Sequence, residues 1–217
     1  MEWYEPVGLV VVIIAVIVVL AYLYERKRNE KLKVLAAMRG FNFYPKGQDT
    51  LLTGLSNFSL FSQGRSKKIK NLADRKESKL EISYFDYQYT TGGGQHSSTS
   101  RQTVVCFRSE SLHLPSFSLW PENIFHKIGS TFGYQDIDFE ASPVFSSQYL
   151  LRGKDEQAIR RAFNPGVLAF YERHKGVCTE GEGDQLIYYR AAKRVKPDEL
   201  STFLDEGMNV FELFRSA

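Results

Sequence analysis

Residues 7–24 read VGLVVVIIAVIVVLAYLY, eighteen consecutive positions without a charge, a side-chain amide or a proline. A helix over this run satisfies its own backbone hydrogen bonds, and at about 1.5 Å per residue it is about 27 Å long, close to the hydrocarbon thickness of a bilayer. Residues 1–24 are therefore predicted to form a transmembrane anchor. The side chains predicted to contact lipid are Val7, Leu9, Ile13, Ile14, Ile17, Leu20 and Leu23.

Two other interpretations of this run fit the sequence less well. A secretory signal peptide begins with positive charge and ends at small residues, whereas this chain begins with Glu2 and Glu5 and ends the run at Tyr24. A helix buried in a soluble core shows a polar face, and the run has none.

Five basic residues follow the run directly, and no lysine or arginine precedes it. They are Arg26, Lys27, Arg28, Lys31 and Lys33. Because basic flanks are retained in the cytoplasm, the amino terminus is predicted to lie outside and the rest of the chain inside. Near anionic headgroups each cation would also contribute about 1 kcal/mol of binding; the alternative is that they only set the orientation.

The rest of the chain has no charge excess. Residues 25–46 carry seven bases and two acids, whereas residues 47–217 carry 21 of each. A neutral body argues against nucleic acid as a partner, because phosphate binding needs a basic face. The two cysteines are too few for a disulfide framework or a multi-cysteine metal site.

The hydrophobic patterns predict an α+β fold, in which a mostly antiparallel sheet has helices packed on one face. Residues 25–40 are predicted to be a basic juxtamembrane helix, and residues 41–217 to be one cytoplasmic domain. Pro121 and Pro197 each predict the start of a helix. The segment around Pro115 is predicted to be an edge or irregular strand, because proline cannot donate to a central ladder.

Residues 80–107 predict a long antiparallel hairpin whose tip is the glycine-rich and polar segment 91–100. Apolar residues alternate through Leu80, Ile82 and Tyr84, and then continue in the opposite phase from Phe85. This change of phase indicates either a bulge near Tyr84 or a strand that is covered on both faces.

No cofactor or metal site is predicted. The histidines do not form an H-E-x-x-H or other paired arrangement, and the triple glycine at 92–94 lacks the Lys-Ser/Thr of a phosphate loop. Cys106 is predicted to be a core residue rather than a nucleophile. The acidic turn of Glu180, Glu182 and Asp184 lacks the spacing of a calcium loop and is expected to be solvated.

Two groups of residues are candidates for a catalytic site assembled by folding. One is Asp86 with Arg101 or Arg152. The other is Asp136, Asp138 and Glu140, which a strand would project from one face. The alternative is that these three carboxylates only form the solvent-exposed face of a strand, which gives the same alternation without a site.

The segment 65–79 carries seven bases against two acids. Arg65, Lys67, Lys68 and Lys70 at its start are predicted to contact lipid headgroups or an acidic partner if this element lies near the bilayer. The alternative is a solvated strand and turn.

Three phrases carry a resemblance to known proteins: FDYQY at 85–89 with the glycine loop and RQTV at 101–104, LPSF at 114–117 leading to WPE at 120–122, and YLLRG at 149–153. Together they resemble a group of uncharacterised bacterial membrane-anchored proteins with one amino-terminal helix and a cytoplasmic domain of unknown function. The resemblance implies a bacterial inner or plasma membrane. It implies no catalytic residues and no substrate.

These observations favour a membrane-tethered cytoplasmic binding module that is not catalytic. Its expected partners are the lipid bilayer and, through the basic segments, anionic headgroups or another membrane-associated protein, since tethering makes weak binding sufficient. An enzyme built from the dispersed residues above, and a structural subunit that associates through its transmembrane helix, are the alternatives.

Overall fold

The computed structural model describes residues 4–124 and 135–216 of the chain. The helices in these ranges are α1 (Tyr4–Met38), α2 (Asp49–Gly54), α3 (Ser59–Ser62), α4 (Pro143–Gln148), α5 (Glu156–Ala162), α6 (Pro165–Arg173) and α7 (Pro197–Arg215). The strands are β1 (Asn42–Tyr44), β2 (Arg65–Glu77), β3 (Leu80–Thr91), β4 (Ser98–Ser109), β5 (Leu114–Pro121), β6 (Tyr149–Gly153), β7 (Cys178–Gly183) and β8 (Gln185–Tyr189). Short 3-10 turns lie at Gly94–His96 and Glu122–Ile124.

The strands form one eight-stranded sheet in the order β1-β2-β3-β4-β8-β7-β5-β6, and each neighbouring pair is antiparallel. The predicted α+β class is confirmed. The predicted hairpin is the pair β3 and β4, which stays in register from Leu80 opposite Ser109 to Thr91 opposite Ser98.

Hydrophobic cores lie on both faces of the sheet. On the helix face, the second half of α1 and helices α4 to α7 cover residues such as Tyr84 and Phe107. On the second face, residues around α2 and α3 cover Phe85, Tyr87 and Tyr89. The predicted arrangement had helices on one face only. It missed α2 and α3, because these helices have six and four residues and show little helical periodicity.

The change of phase in β3 follows from this two-sided burial. Tyr84 and Phe85 are both buried and point to opposite cores, while β3 pairs with β4 without a shift in register. A bulge does occur next to this position, but in β2 between Lys70 and Ala73.

The strand around Pro115 is irregular, which is one of the two predicted alternatives, but it is not an edge strand. Strand β5 is internal, between β7 and β6, and Pro115 is accommodated at a register irregularity between Leu114 and Phe117. Pro121 ends β5 and is followed directly by the 3-10 turn Glu122–Ile124, and the rest of the helix predicted to start there lies outside the described residues. Pro197 does start a helix, α7.

Helix α1 joins the apolar run to the domain without a break. It has 35 residues, and Leu32 and Ala36 in its second half are buried in the core on the helix face. Near its end, Arg39 donates to Asp205 of α7, with Nη1 2.8 Å from Oδ1. The apolar run and the basic segment after it are therefore parts of one continuous helix.

Candidate functional site

The first half of α1 is the longest apolar surface of the described chain. From Leu9 to Tyr24 its large apolar side chains are 49–65 % exposed, and the most hydrophobic window buries nothing against the domain. The exposed side chains include the predicted lipid contacts Leu9, Ile13, Ile14, Ile17, Leu20 and Leu23. The side chain of Val7 lies outside the described residues. By length and composition, α1 can cross a membrane.

Arg28, one turn beyond this surface, is buried in an ion pair with Asp86 of β3. Only 6 % of Arg28 and 7 % of Asp86 is exposed, and Nη2 lies 3.0 Å from each carboxylate oxygen. Nη1 donates to the backbone carbonyl of Val195 at 2.8 Å. The guanidinium therefore connects α1 to the sheet and to the segment before α7, and it differs from the predicted headgroup contact because it does not reach solvent.

Two more side chains complete the shell around Asp86. Asn71 Nδ2 donates to Oδ2 at 3.1 Å, and Thr103 Oγ1 donates to Oδ1 at 2.7 Å. Thr103 also accepts from the backbone N–H of Val195 at 2.9 Å. Asn71 lies in the β2 bulge with φ +52°, a left-handed conformation that asparagine tolerates better than most residues.

This shell assigns Asp86 a structural role. Both carboxylate oxygens accept hydrogen bonds from protein donors, so the group is not free to act as the acid or base of the catalytic site considered from the sequence. The buried pair is the kind of contact that fixes one element against another, because separating the two groups would leave a buried charge without its partner.

The other basic residues of α1 remain at the surface. Arg26, Lys27, Lys31 and Lys33 are exposed. Lys31 Nζ lies 3.3 Å from Oδ1 of Asp198, the second residue of α7.

The basic start of β2 lies at the end of the sheet where α1 leaves the domain. Lys70 is opposite Asp86, and Arg65, further along the strand, is opposite Thr90. Arg65 donates to the carbonyl of Gly92 in the hairpin tip, and Lys67 donates to the carbonyl of Phe61 at 2.6 Å. Arg65, Lys68 and Lys70 are exposed, whereas Lys67 is half-buried.

A cavity of about 280 Å³ opens beside the Arg28–Asp86 pair; we call it the α1 cavity. It is lined by Glu25, Lys70, Asn71, Asp86, Tyr87, Gln88, Arg101 and Arg194. The structure thus brings Asp86 and Arg101 to one cavity, as the sequence suggested, but without an ion pair between them.

Charge in this cavity is only partly balanced. Arg194 donates to both oxygens of Glu25, at 2.7 and 2.9 Å, and this hydrogen bonding lowers the pKa of the Glu25 carboxyl. Asp86 is neutralised by Arg28. Neither Lys70 nor Arg101 forms an ion pair with an acid in the described part of the chain, although the nearby charge of Lys70 also helps to lower the pKa of Glu25.

Arg152 lies elsewhere, on β6 opposite Ser118 of β5, and Ser118 is in turn opposite Glu180 of β7. These residues line a second cavity of about 290 Å³ on the second face of the sheet. Asp86 and Arg152 therefore do not share a site.

Glu180 in this second cavity is the residue that the sequence interpretation missed. It is 1 % exposed, and its carboxylate accepts from the backbone N–H of Ser59 at 2.6 Å and from the Tyr189 hydroxyl at 2.8 Å. Burial raises its pKa to about 7, although these hydrogen bonds oppose the change. The residue was expected to be solvated because its neighbours Glu182 and Asp184 are polar and no local pattern marks it as buried.

The second carboxylate candidate does not form a row. Residues 136–140 are not a strand, so the predicted alternation does not place their carboxylates on one face. Asp136 Oδ1 accepts from the backbone N–H of Leu151 at 2.9 Å, and Asp138 accepts through its carbonyl from Arg160. Within residues 4–124 and 135–216, no three His, Cys, Asp or Glu side chains are placed to hold a metal ion.

Both cysteines are buried, as predicted for Cys106. Burial raises the pKa of the Cys106 thiol to about 12 and that of Cys178 further. Neither thiol is therefore a nucleophile at neutral pH.

No protein-family model matches the chain, and no curated protein matches its sequence. Among solved structures, the chain is similar to the mycobacterial trehalose monomycolate transport factor A, TtfA, at 13 % sequence identity and a TM-score of 0.63. The match covers 88 % of this chain and 94 % of that one. At this identity the two proteins share a fold, and what the similarity establishes is the arrangement of the sheet and its helices.

Proposed function

We propose that this protein is a single-pass membrane protein whose domain is a non-catalytic binding module held at the cytoplasmic face. The observation that carries the proposal is the continuity of α1. One helix contains the exposed apolar run, and its next turns are fixed in the domain core by Arg28 and Leu32. The domain is therefore attached to its anchor rigidly.

Two features support the membrane and the orientation. The exposed apolar side chains of residues 9–24 would be unfavourable in water at about 25 cal/mol per Å², and a bilayer removes this cost. Exposed bases such as Arg26 and Lys27 follow the run, and bases are retained on the cytoplasmic side.

The non-catalytic role is supported by how the candidate catalytic residues are used. Asp86 is saturated by protein donors, and Arg152 lies away from it. The fold is also that of a protein described as a transport factor, which supports an accessory role at a membrane. Binding would use the exposed bases beside α1, among them Lys68 and Lys70.

Extraction of cell membranes with alkaline carbonate tests the anchor. We expect the full chain to remain in the pellet, and an Ile13→Lys, Ile17→Lys variant to leave it, because each charge at a helix centre costs about 3 kcal/mol of insertion. Val34→Lys is the matched control, since Val34 is equally exposed on α1 but lies beyond the apolar run. Release of the unmodified chain into the supernatant would contradict the proposal.

A further inference from the structure

We propose that the α1 cavity binds the headgroup of one anionic phospholipid, and that Lys70 and Arg101 contact its phosphate. This inference rests on the proposed function, since it needs α1 to cross the bilayer. It goes beyond the general attraction of bases to membranes, because it assigns one site, one ligand class and two contact residues.

The position of Glu25 in the chain sets the level of the cavity relative to the bilayer. Glu25 is the first charged residue after the apolar run, so it lies at the level where hydrocarbon gives way to headgroups. The same residue lines the cavity. A cavity at this level opens to lipid headgroups before it opens to the cytoplasm.

The floor of the cavity is formed by β2, β3 and β4, and its two cations lie on the strands that flank β3. Lys70 of β2 is opposite Asp86, and Arg101 of β4 is opposite Gln88. Because opposite residues point to the same face and residues 86 and 88 share a face, Lys70, Gln88 and Arg101 all face the side of the sheet on which α1 packs. Lys70 lies in the row of Asp86, and Arg101 lies in the next row along the strands, opposite Gln88, so the sheet presents an ammonium and a guanidinium on one face.

The net charge of the cavity fits an anion. Both acids in the cavity already have cationic partners, Glu25 with Arg194 and Asp86 with Arg28. Lys70 and Arg101 add two positive charges beyond these two pairs; Lys70 also interacts electrostatically with Glu25, but neither cation forms an ion pair in the described chain. Arginine matches the paired oxygens of a phosphate, and lysine adds a point charge.

The walls are held in place before any ligand arrives. The Arg28–Asp86 pair fixes α1 against the floor, and the hydrogen bond from Asn71 to Asp86 fixes the β2 bulge next to Lys70. A preformed site loses little conformational entropy on binding. At about 280 Å³ the cavity is closer in size to one headgroup than to a whole lipid, and the acyl chains would stay in the bilayer beside α1.

The test uses the full chain in a neutral detergent. Binding of short-chain phosphatidylglycerol, short-chain phosphatidylcholine and glycerol 3-phosphate is measured at one salt concentration, by native mass spectrometry and by the rise in melting temperature. We expect one phosphatidylglycerol to bind. A Lys70→Gln, Arg101→Gln variant should bind it at least about tenfold more weakly, because two cations near a phosphate are lost.

Two controls separate the site from the overall charge. Lys79→Gln, Lys175→Gln removes the same charge from exposed turns away from the cavity, and it should bind like the unmodified chain. Lys70→Arg should retain binding. Equal binding of phosphatidylcholine, equal binding of soluble glycerol 3-phosphate, or equal weakening in the control pair would each overturn the proposal. Because carbonate extraction is measured separately, a chain that stays in membranes but shows one of these results contradicts only this inference.

Discussion

At the scale of single residues, the ion pair of Arg28 and Asp86 determines how α1 packs against the sheet. Burying two charges costs several kcal/mol per ion before their attraction is counted, and the pair compensates through hydrogen bonds from Asn71 and Thr103. Such a network favours one position of α1 against the sheet, since any other position would leave a buried charge unpaired.

Replacing Asp86 tests this role. We expect Asp86→Asn to lower the free energy of unfolding by about 3 kcal/mol or more, because it leaves the Arg28 charge buried without its partner. Asp205→Asn, which breaks the exposed pair with Arg39, should cost less than about 1 kcal/mol. Thermal unfolding of the full chain in a mild detergent measures both, and equal losses would contradict the structural importance of the buried pair.

Glu180 predicts a pH dependence of stability. Its pKa is about 7 in the folded chain against an ordinary 4.5, so the folded state binds the proton more tightly between these values. The free energy of unfolding should therefore fall as pH rises from about 4.5 to 7, because ionisation of the buried carboxyl is unfavourable. Melting temperature measured across this range checks the sign.

The comparison with Glu180→Gln isolates that contribution. The variant cannot ionise, so the fall in melting temperature between pH 5 and 7 should become smaller than in the unmodified chain. Glu182→Gln, on the same strand, should leave the fall unchanged. An identical pH profile in Glu180→Gln would show that this carboxyl does not titrate in the range.

At the scale of elements, the sequence predicted what depends on local patterns and missed what depends on contacts distant in sequence. The β3–β4 hairpin and the start of α7 follow from alternation, glycine and proline, which act over a few residues. Helices α2 and α3 are too short to show a period. The burial of Glu180 comes from α3, about 120 positions earlier in the chain, so its own neighbours carry no signal of it.

The same limit applies to the candidate site. The sequence singled out Asp86 and Arg101, and the structure places both in the α1 cavity. It did not predict the partner of Asp86, because Arg28 lies 58 positions away and was interpreted with its exposed neighbours. Only packing of α1 on the sheet distinguishes Arg28 from Arg26 and Lys27.

The direction of β3 predicts which hairpin tip lies near the bilayer. Strand β3 runs from Asp86 to Gln88 and then toward the hairpin tip that contains Ser97. Gln88 lines the α1 cavity together with Glu25, so this tip lies on the side of the domain where α1 leaves it. The opposite tip, with Ser78, lies at the other end of β2 and β3. Nitroxide labels on Ser97→Cys and Ser78→Cys distinguish the two ends, since both native cysteines are buried.

In vesicles containing a nickel-chelating lipid, we expect faster relaxation for the label at position 97 than for the label at position 78. Equal relaxation, or the reverse order, would mean that the domain is not oriented by α1 as described.

At the scale of the whole molecule, one continuous helix joins the apolar run to the domain. Helix α1 runs from the apolar run into the core, and Arg28, Leu32 and Arg39 connect it to the sheet and to α7. A rigid connection of this kind fixes which face of the domain meets the membrane, whereas a flexible linker would leave the domain free to rotate. If α1 spans a bilayer as proposed, the α1 cavity and the bases of β2 face the surface of that bilayer.

The most direct test of this account is the side of the membrane on which the domain lies. Ser78→Cys is treated with a membrane-impermeant maleimide in right-side-out and in inverted vesicles of the bacterial inner membrane. We predict that the protein sediments with both and that only the inverted vesicles are labelled. Labelling of the right-side-out vesicles, or recovery of the protein in the supernatant, would contradict the claim that α1 spans the bilayer and holds the domain in the cytoplasm.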